Sequence, residues 1–166
     1  MHTLNLGGCT GIRDVSALGN VHTLNLSYCT GITDVSALGN VHTLNLWGCT
    51  GITDVSALGN VHDLNLCRCT KLTIITDINS LKRLDISHCS NLEEVINLPN
   101  VVEINAISCP KLKVLRCFPK LQSLNARGCS SLVKLSNIPA DVNLDLQRCE
   151  NLKVIRFKNT TIRLGS

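Results

Sequence analysis

The stretch VHTLNLSYCTGITDVSALGN at residues 21–40 decides how this chain is read. It returns at 41–60 as VHTLNLWGCTGITDVSALGN, and almost letter for letter at 1–20. The spacing of 20 residues then holds to the end. Cys9, Cys29, Cys49, Cys69, Cys89, Cys109, Cys129 and Cys149 fall in one register. Eight units fill residues 1–160, and 161–166 reads as the start of a ninth strand. Self-similarity at this period is the mark of a solenoid, in which each unit buries its apolar face only against its neighbours. The whole chain, 1–166, is therefore expected to be one array.

Within each unit, positions 1, 4, 6, 12, 15 and 18 are aliphatic with few exceptions. In the second unit they are Val21, Leu24, Leu26, Ile32, Val35 and Leu38, and in the fifth Leu81, Leu84, Ile86, Leu92, Val95 and Leu98. Leu4 and Leu6 alternate with Thr3 and Asn5, the period of a strand with one wet face. Thr-Gly at 10–11, 30–31 and 50–51 signals a loop. Asp14, Asp34 and Asp54 each precede a segment too short for an α-helix, and are expected to cap a single 3₁₀-like turn. Pro99, Pro119 and Pro139 enter position 19 from the fifth unit on, which predicts a more extended return segment there.

With cysteine at position 9 the pattern is L-x-x-L-x-L-x-x-C-x-x-L. It resembles the cysteine-containing leucine-rich repeat over the whole chain. The first three units are also similar to CTGITDVSALG arrays in large DNA viruses and protists. The resemblance implies an α/β solenoid with a parallel β-sheet on the concave face and short turns or 3₁₀ segments on the convex side. It also implies an intracellular role, in host cytoplasm for a viral source. A partner protein is expected on the concave face, with a ubiquitin-ligase-type adaptor as the alternative. No F-box-like segment precedes the array, which weighs against the adaptor.

Composition agrees with a thin core of regularly placed aliphatics: 44% of residues are hydrophobic and only 2% aromatic. No apolar run approaches the roughly 20 residues of a membrane span. Nor does the start, MHTLNLGGCTG, read as a signal peptide. The register cysteines are expected to be buried free thiols, because stacked strands about 4.8 Å apart carry parallel side chains that do not converge on a disulfide. Reduced thiols point to a cytoplasmic, reducing compartment. They also weigh against a surface adhesin and against use of the two glycosylation sequons, at Asn25 and Asn159. Cys67 is expected to be exposed. The first unit is expected to present an uncovered rung, prone to end-on self-association.

Two columns look chemical. Position 5 is Asn, or Asp at 85 and 145, and is expected to form a side-chain ladder. His2, His22, His42 and His62 occupy position 2, where a solvated or stacked role is favoured over a metal site. No cofactor or metal motif and no catalytic motif is present, so the chain reads as non-enzymatic.

Candidate binding residues come from positions 7 and 8, the only places where the second and third units differ. Tyr28, Trp47, Cys67, Arg68, His88, Ile107 and Arg127 stand there. Tyr28, Trp47, Arg68 and His88 are expected to form a diagonal patch of interface anchors, with Gly8 and Gly48 leaving room for a partner backbone. Charge is uneven. Arg13 stands alone against Asp14, Asp34 and Asp54 in the first three units, whereas the rest of the chain is basic and brings the total to +4. Nucleic-acid binding by this basic half is the weaker reading, since aromatics are not interleaved with the charges.

Overall fold

A computed structural model describes residues 2–163 of the chain. Met1 and residues 164–166, and any expectation resting on them, lie outside the described residues. The chain winds into a parallel β-solenoid of eight rungs. Each rung begins with a three-residue strand at positions 3–5: Thr3–Asn5, Thr23–Asn25, Thr43–Asn45, Asp63–Asn65, Arg83–Asp85, Glu103–Asn105, Ser123–Asn125 and Asn143–Asp145. These form one eight-stranded sheet in chain order, and every pairing joins residues 20 apart, as Leu24 with Leu44. Unbroken periodicity makes that register unique, because a shift by one residue would turn the leucines to solvent.

The core is a stack of identical positions. In the second rung Leu24, Leu26, Cys29, Ile32, Val35 and Leu38 are buried, with at most 2% of their surface exposed. A fully buried aliphatic side chain contributes about 1.5–3 kcal/mol, so the five aliphatics of this set, packed with the Cys29 thiol, dominate the stability of the rung. Position 6 shrinks to Ala106 in the rung where position 18 grows to Phe118, both fully buried. The end rungs lack a neighbour on one side. Leu4, Leu6, Ile12 and Leu18 are only partly buried, and so are Leu144 and Leu146.

The return side changes character along the chain. The first two rungs carry 3₁₀ turns at Ser16–Leu18 and Ser36–Leu38. Asp14, Asp34 and Asp54 accept the backbone N–H of Ser16, Ser36 and Ser56 at 2.9, 2.8 and 2.8 Å. Each acid thus anchors its turn from one residue before the N-cap, which is Val15 or Val35 in the two 3₁₀ turns. From the fourth rung a second sheet replaces the turns. Its parallel strands are Ile74–Thr76, Glu94–Ile96, Val114–Arg116, Lys134–Ile138 and Val154–Phe157. The extended return segment therefore begins one unit before the first of these prolines, where Thr73, Ile74, Ile75 and Thr76 replace Thr-Asp-Val-Ser; β-branched side chains fit a pleated surface. Among the described residues there is no α-helix. Thr161–Arg163 does not extend the register as a ninth strand. It folds back antiparallel on Val154–Arg156 and closes the edge of the second sheet.

All ten cysteines are free. Cys29, Cys49, Cys69, Cys89, Cys109 and Cys129 are buried, but Cys9 is exposed and Cys149 half-buried, because each sits in an end rung. Cys67 is half-buried rather than exposed, as is Cys117 on the return side.

Candidate functional site

Side-chain columns at positions 2, 3, 5, 7 and 8 organise the solvent face of the first sheet and its rim. The position-5 column starts the turn that ends each strand. Its Oδ1 accepts the backbone N–H two residues on in all eight rungs. The bond runs from Gly7 to Asn5 at 3.0 Å, from Cys67 to Asn65 at 2.9 Å and from Gln147 to Asp145 at 3.1 Å. Amide-to-side-chain bonds between rungs, the expected ladder, occur from Asn25 to Asn5 and from Asn105 to Asp85. The recurring partner is thus the backbone, the bond by which Asx residues nucleate turns.

The turn is closed by the N–H of position 9 on the carbonyl of position 6, as Cys29 on Leu26 at 3.1 Å. Position 8 consequently lies in the left-handed region. Gly8, Gly48 and Gly128 stand there at φ 81°, 71° and 78°, and Tyr28, Arg68, His88, Ser108 and Arg148 at φ 58–62°. Non-glycine residues in this region carry a cost. The same carbonyl receives a second donor from the next rung. Cys29 Sγ donates to Leu6 O at 3.2 Å, Cys69 to Leu46 O at 3.3 Å and Cys109 to Ile86 O at 3.0 Å. Burial pushes the Cys49 and Cys89 thiols up to about 12, and Cys69 further in the same direction. These groups stay protonated and donate.

Positions 7 and 8 hold the expected binding residues. Tyr28 is 42% exposed, and its ring centroid lies 4.7 Å from that of Trp47, tilted by 51°. Trp47 is half-buried, and its Nε1 is buried without a partner. Arg68, His88 and Arg127 are exposed, while Cys67 and Ile107 are half-buried. The space over Gly48 is not open to a partner: a Cβ there would stand 2.8 Å from Tyr28 Cδ1, so the tyrosine ring already covers it. Over Gly8 the space is open.

Position 3 is the column that the sequence reading overlooked. Here Thr43, Asp63, Arg83 and Glu103 run side by side with Asn45, Asn65, Asp85 and Asn105, and line a groove of about 340 Å³ across rungs three to six. Arg83 Nη2 bonds Asp63 Oδ2 at 2.8 Å, and Asp63 Oδ1 is buried without a partner. Asp85 is engaged by Ser87 and Asn105. On positions 3 and 5 the acids Asp63, Asp85, Glu103 and Asp145 face the single base Arg83, in a chain of net charge +4. The available signal was the replacement of three threonines by Asp63, Arg83 and Glu103 while the packing columns stayed constant.

The imidazoles of position 2 stack, His22 on His42 at 4.7 Å and His42 on His62 at 4.3 Å. Among the described residues no group of three or more His, Cys, Asp or Glu side chains is placed to share a metal ion, and no helix is long and apolar enough to cross a membrane. No family model matches the chain, and no curated protein is similar to it.

Proposed function

We propose that this chain is a leucine-rich repeat module of the cysteine-containing type, that it performs no catalysis, and that it binds a partner protein over its first sheet, the face such repeats present as concave. The family assignment rests on the L-x-x-L-x-L-x-x-C-x-x-L pattern, which recurs through the eight units with Met1 and Asp141 departing at position 1 and Ala106 and Ala126 at position 6. It is supported by the seven thiol-to-carbonyl bonds that tie each rung to the one before. The observation that carries the binding reading is the groove itself. It collects charged side chains on a face whose framework is otherwise Thr and Asn, and the Tyr28–Trp47 pair stands at positions 8 and 7 of rungs two and three, outside the groove lining.

The groove suits an extended segment with lysine or arginine for Glu103 and Asp63, and an apolar side chain against Trp47. Rungs three to six span about 15 Å of strand spacing, enough for four or five extended residues. Trp and Tyr are frequent anchors of such contacts.

The test is a pull-down from the native cell followed by quantitative mass spectrometry. Wild type is compared with Trp47→Ala, with Glu103→Gln combined with Asp63→Asn, and with Lys113→Ala combined with Arg116→Ala on the opposite side. A partner lost in the first two and retained by the third supports the reading. A partner lost only in the third places binding on the other face and overturns it.

A further inference from the structure

The second sheet carries a polar cluster that the protein-binding face does not use. Across its last four strands the outward residues fall in two rows. One row pairs Arg116, Ser136, Arg156 and Thr161, and the other pairs Val114, Lys134, Val154 and Arg163. Ser136 stands between two arginines, with Lys134 two residues back on its own strand. It is one of two buried polar residues of the described chain, 8% exposed. The other, Ser87, gives its hydroxyl to Asp85 at 2.6 Å. The Ser136 hydroxyl has no partner among the described residues, and Ser136 helps line a groove of about 300 Å³ with Val133, Lys134, Leu135, Val154 and Arg156.

Charge over the last four strands is one-sided. Lys113 is matched by Glu93 at 2.7 Å, but Arg116, Lys134 and Arg156 make no ion pair among the described residues. No acid occupies an outward position on the last four strands. A hydroxyl without a protein partner, open to the groove and flanked by free cations, suits an acceptor with several oxygens and more than one negative charge. A phosphate monoester meets that demand. It takes the hydroxyl proton of Ser136 as a hydrogen bond and presents its remaining oxygens to guanidinium forks, which match oxyanions bidentately. Val133 and Val154 are placed to wall an aliphatic ester group. The lining residues include no aromatic on which a base could stack, and this argues for a small ester over nucleic acid.

We infer that the groove around Ser136 is a binding site for an aliphatic phosphate monoester, held by the Ser136 hydroxyl, Lys134 and the Arg116 and Arg156 guanidiniums. Soluble esters and the headgroup of phosphatidic acid share this chemistry. Calorimetric titration with butyl phosphate, and flotation with phosphatidic-acid vesicles against phosphatidylcholine vesicles, separate the two sources. Wild type is expected to bind one of these probes, with affinity falling as salt is raised. Ser136→Ala, which removes one charge-assisted hydrogen bond, is expected to weaken binding about tenfold. Lys134→Ala combined with Arg156→Gln abolishes it. Arg83→Ala on the first sheet leaves it unchanged, and circular dichroism checks that each variant keeps its fold. The inference is overturned if wild type binds neither probe, if Ser136→Ala and the double variant bind as wild type does, or if RNA binds more tightly than butyl phosphate and equally well to every variant.

Discussion

The Tyr28 ring lies so close over Gly48 that a Cβ at residue 48 would meet Tyr28 Cδ1 at 2.8 Å and Cε1 at 3.0 Å. Two demands therefore converge on Gly48: a φ of 71° and a ring overhead. Gly48→Ala is expected to lower stability by about 1–2 kcal/mol, part from the left-handed backbone and part from the displaced ring. A double-mutant cycle with Tyr28→Ala separates the two in urea unfolding. Once the ring is gone the cost of Gly48→Ala should shrink; an unchanged cost would mean that the backbone alone matters.

The thiol ladder makes the cysteines unequal. Cys89 is buried and donates to Leu66 O at 3.1 Å, whereas Cys9 is exposed in the first rung. Cys89→Ala removes a buried sulfur and a hydrogen bond, and should cost about 1–3 kcal/mol. Cys9→Ala should stay within about 0.5 kcal/mol. Labelling of the folded protein with a thiol reagent should follow the same order: Cys9 first, then Cys67, Cys117 and Cys149, and the six buried thiols only on unfolding. Rapid labelling of Cys69 or Cys89 under native conditions contradicts the ladder.

Much of this architecture is legible because each packing column repeats at one spacing. The 20-residue period alone places Leu24, Leu44 and Leu64 side by side in neighbouring strands. Position 8 is harder. Gly8, Tyr28, Gly48 and Arg68 look like free variation, yet all adopt a left-handed backbone that the sequence does not announce. The groove is hidden for another reason. Asp63, Arg83 and Glu103 lie 20 residues apart and become one surface only when the rungs stack. The second sheet has a local signal in Ile74 and Ile75, masked by the prolines that begin a unit later. Ser136 gives no signal, since its burial comes from the neighbouring strands.

Alkaline pH should destabilise the fold. Burial raises Cys49 and Cys89 from an ordinary 9.0 to about 12, and Cys149 to about 11. A pKa raised in the folded state means that the unfolded chain loses its protons first. The stability from these thiols is complete below pH 9 and is lost as pH rises from 9 towards 12, by up to about 1.4 kcal/mol per pH unit for each of the buried Cys49 and Cys89 and by less for the half-buried Cys149, which solvent screens. Urea midpoints at pH 8, 9, 10 and 11 should fall progressively, and Cys49→Ala should flatten the decline. A midpoint constant to pH 11 would contradict this.

The position-5 column separates a backbone role from an amide-specific one. Asn65 Oδ1 takes the Cys67 N–H at 2.9 Å, and in the next rung Asp85 takes the Ser87 N–H at 2.9 Å with a carboxylate. Only an acceptor two residues before position 7 is common to both. Asn65→Ala should therefore cost about 1–2 kcal/mol by leaving the turn N–H without its partner. Asn65→Asp should cost less, because the carboxylate can accept the same bond; its remaining penalty is repulsion from Asp85 in the paired register. Adding Asp85→Asn should relieve that penalty and return stability to near the wild-type level. If Asn65→Asp is as damaging as Asn65→Ala and the second change gives no relief, the amide hydrogens rather than the Oδ1 acceptor hold the column together.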